Sequence, residues 1–390
     1  VGDHSQRAVT FDLQDQHMRE HAAGVALVVG LVEAMVGCVR VTLLHDLHGV
    51  AAPNAVLGTD VDDQELRFAA DRDVADGLDD KTATAIYGLY TAAVFMAALP
   101  GGWIADRLIG AQRAGMVGGR RMRRGTVSLA VPGPEALFFG GLVVIILGVG
   151  LLKPNVSTLV ADLYPEGGGR RDAGFTIFYM GINLGAFIGP LIAGWLAQRY
   201  GWRIGFLAAA IGLPFGLLQF WLSRRLFNGA GAQPNRNDGG AGLATDWRRL
   251  WIALAVFAAV AALLFSGTVH LDPTRLAKGA AYVLVGMAAL YFLYLFFGAG
   301  LDPVERKRMV VVLVMFLGVA SFWSGYEQAG SSLNLFAKRY IDRMVGGFEI
   351  PAGWFQSVQP AFVILFAPIF SALWVQLARR QMDPAAPLKF

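Results

Sequence analysis

The chain has 390 residues, of which 55% are hydrophobic and 16% charged, with a mean hydropathy of +0.49. That is more apolar than soluble usage, which excludes a disordered chain, and the single cysteine, Cys38, excludes a disulfide scaffold. A net charge of +4 does not mark a nucleic-acid binder, because the basic residues sit in short connections between apolar runs.

In chain order, residues 1–22 are polar and read as a cytoplasmic tail without a cleavable signal pattern. Apolar runs follow near 23–44, 83–105, 136–161, 173–197, 202–223, 250–267, 277–300, 309–336 and 354–377. They have the length that crosses a hydrocarbon core about 30 Å thick. Strand-like alternation is absent, and lipid admits only helices or closed barrels, so an all-α polytopic membrane protein is expected. Arg107, Arg113, Arg120, Arg121, Arg123 and Arg124 mark one basic connection, Arg170 and Arg171 another, and Arg224, Arg225, Arg248 and Arg249 a third. Arg306, Lys307 and Arg308, then Arg379 and Arg380, mark two more. This alternation predicts a cytoplasmic N-terminus in the plasma (inner) membrane. Between Asp46 and Lys81 the chain is acidic and reads as a solvated outer loop.

The parity of the connections requires a further span at 111–131, although four arginines in five positions would each cost roughly 2.5–3.5 kcal/mol near the bilayer centre. A distorted helix is therefore expected there. Residues 228–249 include a Gly-, Asn- and Asp-rich stretch and read as a flexible linker. The linker splits the chain into a six-helix bundle at 23–227 and a later group of helices, which the resemblance given below divides into a helix pair at 250–301 and the beginning of a second bundle at 302–390.

Ionisable groups within such runs are functional candidates. Lys153 lies deep in "GLVVIILGVGLLKPNVSTLVADLY", beside Pro154, which should bend the helix. Glu327 lies in "FLGVASFWSGYEQAGSSLNLFA". Burial raises a carboxyl pKa and a nearby cation lowers it, so the group suits a proton-responsive role as well as a structural ion pair. Gln328 and Asn334 are placed either to bind a ligand or to bridge helices. Tyr179 and Asn183, four apart, share one helix face, and Gly181 and Gly185 suit close packing. Tyr87 and Tyr90 give another polar-tipped aromatic face. No nucleotide-binding loop, nucleophile elbow or zinc signature occurs, so neither an enzyme nor a cofactor is expected.

The strings "GGWIADRLIGAQRA", "GLLKPNVSTLVADLYPEGGGRRDAGFTIFYMGINLGAFIGPLIAG", "FWSGYEQAGSSLNLFA" and "IPAGWFQSVQPAFVILFAPIFSALW" resemble the proton-dependent oligopeptide transporters, a branch of the major facilitator superfamily. The resemblance covers roughly 83–119 and 136–390. It implies major-facilitator-type bundles, a bacterial-type extra helix pair at 250–267 and 277–300, and proton-coupled uptake of di- and tripeptides by a monomer in membrane lipid. It implies the gating motif at Gly101, Asp106, Arg107 and Gly110. It implies substrate-site roles for Lys153, Tyr179, Asn183, Tyr90, Gln359, Trp323, Glu327 and Arg40, and proton coupling at Glu327 and Lys153. Trp323 and Trp354 would neighbour that cavity, with plain packing the stronger reading for each. Gln359 stands where an asparagine is common. In the first helix only Glu33 and Arg40 remain of an expected acidic–basic cluster. We expect two local reading-frame disturbances, in the first and third helices, and a C-terminal bundle that is incomplete after its second helix. A non-peptide substrate such as nitrate, a peptide sensor and an inert fragment are the rival readings.

Overall fold

A computed structural model describes residues 79–164, 168–227, 229–234, 242–266, 272–380 and 382. The first-helix candidates Glu33 and Arg40 lie outside the described residues. Among those described there are ten helices and one two-stranded hairpin. Seven helices are long and apolar enough to cross a membrane.

Helix α1, Asp80–Ile104, begins under an Asp79 cap whose side chain accepts from the Thr82 amide. It ends in one π turn, Ala105–Ile109, and Gly110 then turns the chain at φ 81° into α2, Ala111–Ala130. Helix α3 spans Glu135–Asp162, α4 Gly168–Tyr200 and α5 Trp202–Ser223.

Sequence reading expected a distorted third span; α2 is a regular helix of 20 residues. Its buried face is Ala114, Gly115, Gly118, Met122, Gly125 and Leu129, and Arg120, Arg121, Arg123 and Arg124 fall on its exposed side. In lipid, apolar side chains gain little by leaving lipid, so close approach of small residues decides which helices pair. Here the approach is reciprocal. A Cβ on Gly118 would stand 2.6 Å from the Gly148 carbonyl oxygen, and one on Gly125 would stand 2.6 Å from that of Gly141. The two contacts are two turns apart on each helix, as an antiparallel pair requires. Thr126 donates its hydroxyl to the Met122 carbonyl at 2.9 Å, so the buried polar atom is satisfied. Phe206, Met122, Leu129, Ile145, Leu159 and Leu213 fill the space between α2, α3 and α5.

A knot ties α1 to α3. Pro154 has no N–H, so the Gly150 carbonyl loses its helical donor. At that point α1 comes so close that a Cβ on Gly101 would lie 1.9 Å from the Gly150 oxygen. One residue on, buried Asn155 donates Nδ2 to the Gly101 carbonyl at 3.2 Å and to Leu151 at 2.7 Å. Pro154 therefore serves the close packing of Gly101.

Helices α6, Leu243–Phe265, and α7, Pro273–Phe297, follow. Helix α6 begins within the stretch read as linker, and its Asp246 is buried. Helix α8, Pro303–Tyr326, starts with a capping box between Asp302 and Glu305. The run read as one helix over 309–336 is broken. A 3-10 turn at Glu327–Gly330 separates α8 from α9, Ser332–Tyr340. The local sequence, "SGYEQAGSS", supplies Gly and Ser where helix propensity fails. The hairpin pairs β1, Met344–Val345, with β2, Phe348–Glu349, in the register Met344↔Glu349. A 3-10 turn at Ala352–Ser357 then leads into α10, Val358–Arg379.

Candidate functional site

Two helix groups, α1–α5 and α8–α10, meet through aromatic side chains. The Lys153 ammonium on α3 stands 5.2 Å from the centroid of the Phe95 ring on α1. Phe95 meets Trp323 of α8 edge-on at 6.5 Å, and Trp323 meets Tyr326 at 4.9 Å. The Tyr326 hydroxyl donates to Oε1 of Gln359, on α10, at 3.4 Å. A continuous path of contacts thus runs from the cation of the first group to an amide of the second. Glu327 follows Tyr326 directly. It is half-buried, and its Oε2 is shielded from solvent.

Helix α4 supplies the neighbouring polar face. Asn183 is 6% exposed and donates Nδ2 to the Tyr179 carbonyl at 2.8 Å, which directs its carbonyl oxygen away from that bond. Tyr179 itself is exposed. Tyr90 is buried in the same apolar cluster as Tyr87 and Phe178. Gln328 donates to the Ser324 carbonyl at 3.1 Å and accepts from Ser332, so it braces the break after α8. Asn334 is buried on α9.

At one end the groups are bolted together. Arg339 of α9 holds Asp80 at the start of α1 by two bonds of 2.6 and 2.8 Å. The pair holds the Arg339 pKa above its ordinary value. Trp354 donates its indole N–H to the Leu191 carbonyl of α4 at 2.9 Å, and Ser357 donates to Phe187 at 2.7 Å. Gln198 donates to the Glu349 carbonyl at 3.2 Å. Trp354, read as plain packing, also makes this bond and covers Gly194, where a Cβ would meet its ring at 3.3 Å.

Gly101, Asp106, Arg107 and Gly110, the expected gating motif, lie towards the opposite end of α1. Gly101 is buried in the knot with α3, and Asp106 and Arg107 are exposed on the π turn. Gly110 needs its positive φ, and the linker carbonyls of Gly231 and Ala232 crowd the place a Cβ would take, at 2.9 and 2.8 Å. Among the described residues no group of three or more His, Cys, Asp or Glu side chains is gathered as metal ligands would be. The Asp80–Arg339 pair, the Asn155 tie and the Ser357 bond were not read from sequence. Asp80 is the last residue of an acidic run that resembles a solvated loop, and nothing local marks its distant partner.

The POT family model matches residues 121–390. The peptide transporter YePEPT of Yersinia enterocolitica is 40% identical over 328 residues, which cover 80% of this chain and 63% of that protein. A di-/tripeptide transporter of Lactococcus lactis is 35% identical over 324 residues, covering 80% and 64%. The chain thus spans less than two thirds of the length of these relatives. The crystal structure of a peptide transporter POT in complex with sulfate superposes with a TM-score of 0.78 at 30% identity, over 94% of this chain and 70% of that one. That of a POT family transporter in complex with a thioalcohol conjugated peptide gives 0.75 at 29% identity, over 93% and 71%. With the polytopic helical bundles described above, these matches place the chain: it belongs to the POT family.

Proposed function

We propose that this protein is a proton-coupled symporter that carries di- and tripeptides across the plasma membrane by alternating access, with its N-terminus in the cytoplasm. The observation that carries the reading is the contact path from Lys153 through Phe95, Trp323 and Tyr326 to Gln359. It places a cation and an amide on the two helix groups that such a cycle must move relative to each other.

A short peptide is a zwitterion, so its site needs a cationic end and an acidic or amide-rich end. Lys153, with Arg40, serves the carboxylate. Asn183 and Gln359 serve the amino end. Tyr179 and Trp323 wall the space between them, while Tyr90, expected there from the resemblance, lies buried in the apolar cluster of the first group. Protonation of Glu327 removes its negative charge at the break after α8 and lets the groups rock about the site, a two-state element biased by both proton and peptide. The bonds at Asp80, Leu191 and Phe187 hold one end shut, so the described state is closed at the end away from the arginine-rich connections. By the distribution of basic residues that closed end is the outer one. One proton moving through 100 mV supplies about 2.3 kcal/mol, which supports roughly 40-fold accumulation at about 1.4 kcal/mol per decade.

The test is proton flux. Liposomes containing the protein and a trapped pH dye should acidify when a dipeptide is added outside. A sensor or an inert fragment gives no peptide-dependent flux, and a nitrate carrier responds to nitrate in place of the peptide.

A further inference from the structure

A cavity lies at the arginine-rich end, where α5 runs into the linker. It encloses about 540 Å³ and is lined by Gln112, Trp221, Arg224, Arg225 and the linker at Gly229 and Ala232. Gln112 builds it. This side chain is 4% exposed and donates Nε2 to the Ala230 carbonyl at 2.7 Å. Its Oε1 accepts from Nε of Arg224 at 3.4 Å, and its backbone N–H donates to the Gly231 carbonyl at 2.9 Å. One residue thus fixes the linker and orients a guanidinium over the space. Among the described residues neither Arg224 nor Arg225 has a carboxylate partner, and no acidic side chain lines the cavity. Beside the two cations, Trp221 and Leu222 present exposed apolar surface, 54% and 59% exposed.

We propose that this cavity binds the phosphodiester headgroup of an acidic phospholipid, with the acyl chains running along Trp221 and Leu222. A basic pocket between spanning helices, on the side of the basic connections, is the chemistry that selects such headgroups. Arginine offers planar paired donors to phosphate oxygens, and a tryptophan at the lipid–water boundary suits the glycerol region. A free anion would use the cations without the apolar flank. The inference rests on the membrane placement proposed above and on no step of transport.

The experiment is native mass spectrometry of the detergent-purified, delipidated protein titrated with phosphatidylglycerol or with phosphatidylcholine of the same chains. The wild type should retain phosphatidylglycerol preferentially. The Arg224→Gln/Arg225→Gln variant should bind it about 30-fold more weakly, at about a factor of five or six per cation. Arg225→Gln alone, at an exposed side chain that leaves the Gln112 contacts intact, should show part of that loss. A control with the same charge change at the same end, Arg248→Gln/Arg306→Gln, should bind like the wild type. The proposal is overturned if the double variant retains the lipid as the wild type does, if the control loses it equally, or if inorganic phosphate displaces the lipid at equal concentration. No peptide or gradient enters the measurement, and proton flux recorded on the same preparation reports transport separately.

Discussion

Arg339 grips Asp80 with two guanidinium nitrogens, at 2.6 and 2.8 Å, across 259 residues of sequence. The pair joins α9 to the first residue of α1, and in the alternating-access cycle proposed above it would have to break when that end opens. Both side chains are partly exposed, at 40% and 45%. Exposed pairs contribute about 0.2–1 kcal/mol, and two-armed geometry favours the upper part of that range. Arg339→Gln should therefore shift the open–closed balance about two- to five-fold towards opening at this end. Spin labels on the ends of α1 and α9 would report it as a larger long-distance population, and Asp80→Asn should give the same shift. An unchanged distance distribution in both variants would remove the pair from the gate.

The glycines of the α1–α3 knot give a sharper contrast. A Cβ on Gly101 meets backbone, the Gly150 oxygen at 1.9 Å, whereas one on Gly102 meets nothing within 4 Å. Gly101→Ala should cost about 1–3 kcal/mol, as overpacking does, because neither helix backbone can yield without losing the Asn155 bonds. Gly102→Ala should stay within about 0.5 kcal/mol of the wild type or stabilise slightly, since alanine is the better helix former. Thermal unfolding in detergent separates the two.

The spans were largely legible because lipid enforces long apolar runs with ends marked by charge. Helix α2 was the exception. Its packing seam is made of glycine, which carries no hydrophobic signal, and its exposed side carries Arg120, Arg121, Arg123 and Arg124. The spacing of Gly118 and Gly125, two turns apart like Gly141 and Gly148, is the signal that reveals the pairing. The break at Glu327–Gly330 is carried by the short polar string "EQAGSS", which the apolar residues on either side outweigh over the length of a span. Of the candidate site, the residue types and their helices were readable; the cross-group contacts were not, because Phe95, Trp323 and Gln359 meet only once the chain has folded.

Lys338, beside Arg339, predicts a pH effect. Burial, then Arg339 and Arg343, press its pKa below the ordinary 10.5, and Asp80 opposes them. The folded protein therefore releases this proton at a lower pH than the unfolded chain does. Below the lowered value both forms hold the proton and stability is flat in pH. Between the lowered value and about 10.5 the unfolded chain binds more protons, so stability rises with pH. The thermal midpoint should climb through the alkaline range, and Lys338→Met should flatten that climb. A slope that survives the substitution would assign it to another group.

The central claim is that Lys153 and Glu327 couple proton movement to peptide movement. Uptake of a labelled dipeptide into liposomes, driven by an inward proton gradient, tests it most directly. The wild type should concentrate the peptide, whereas Lys153→Ala and Glu327→Gln should reach no internal concentration above that outside. Accumulation by both variants at the wild-type level would contradict the account.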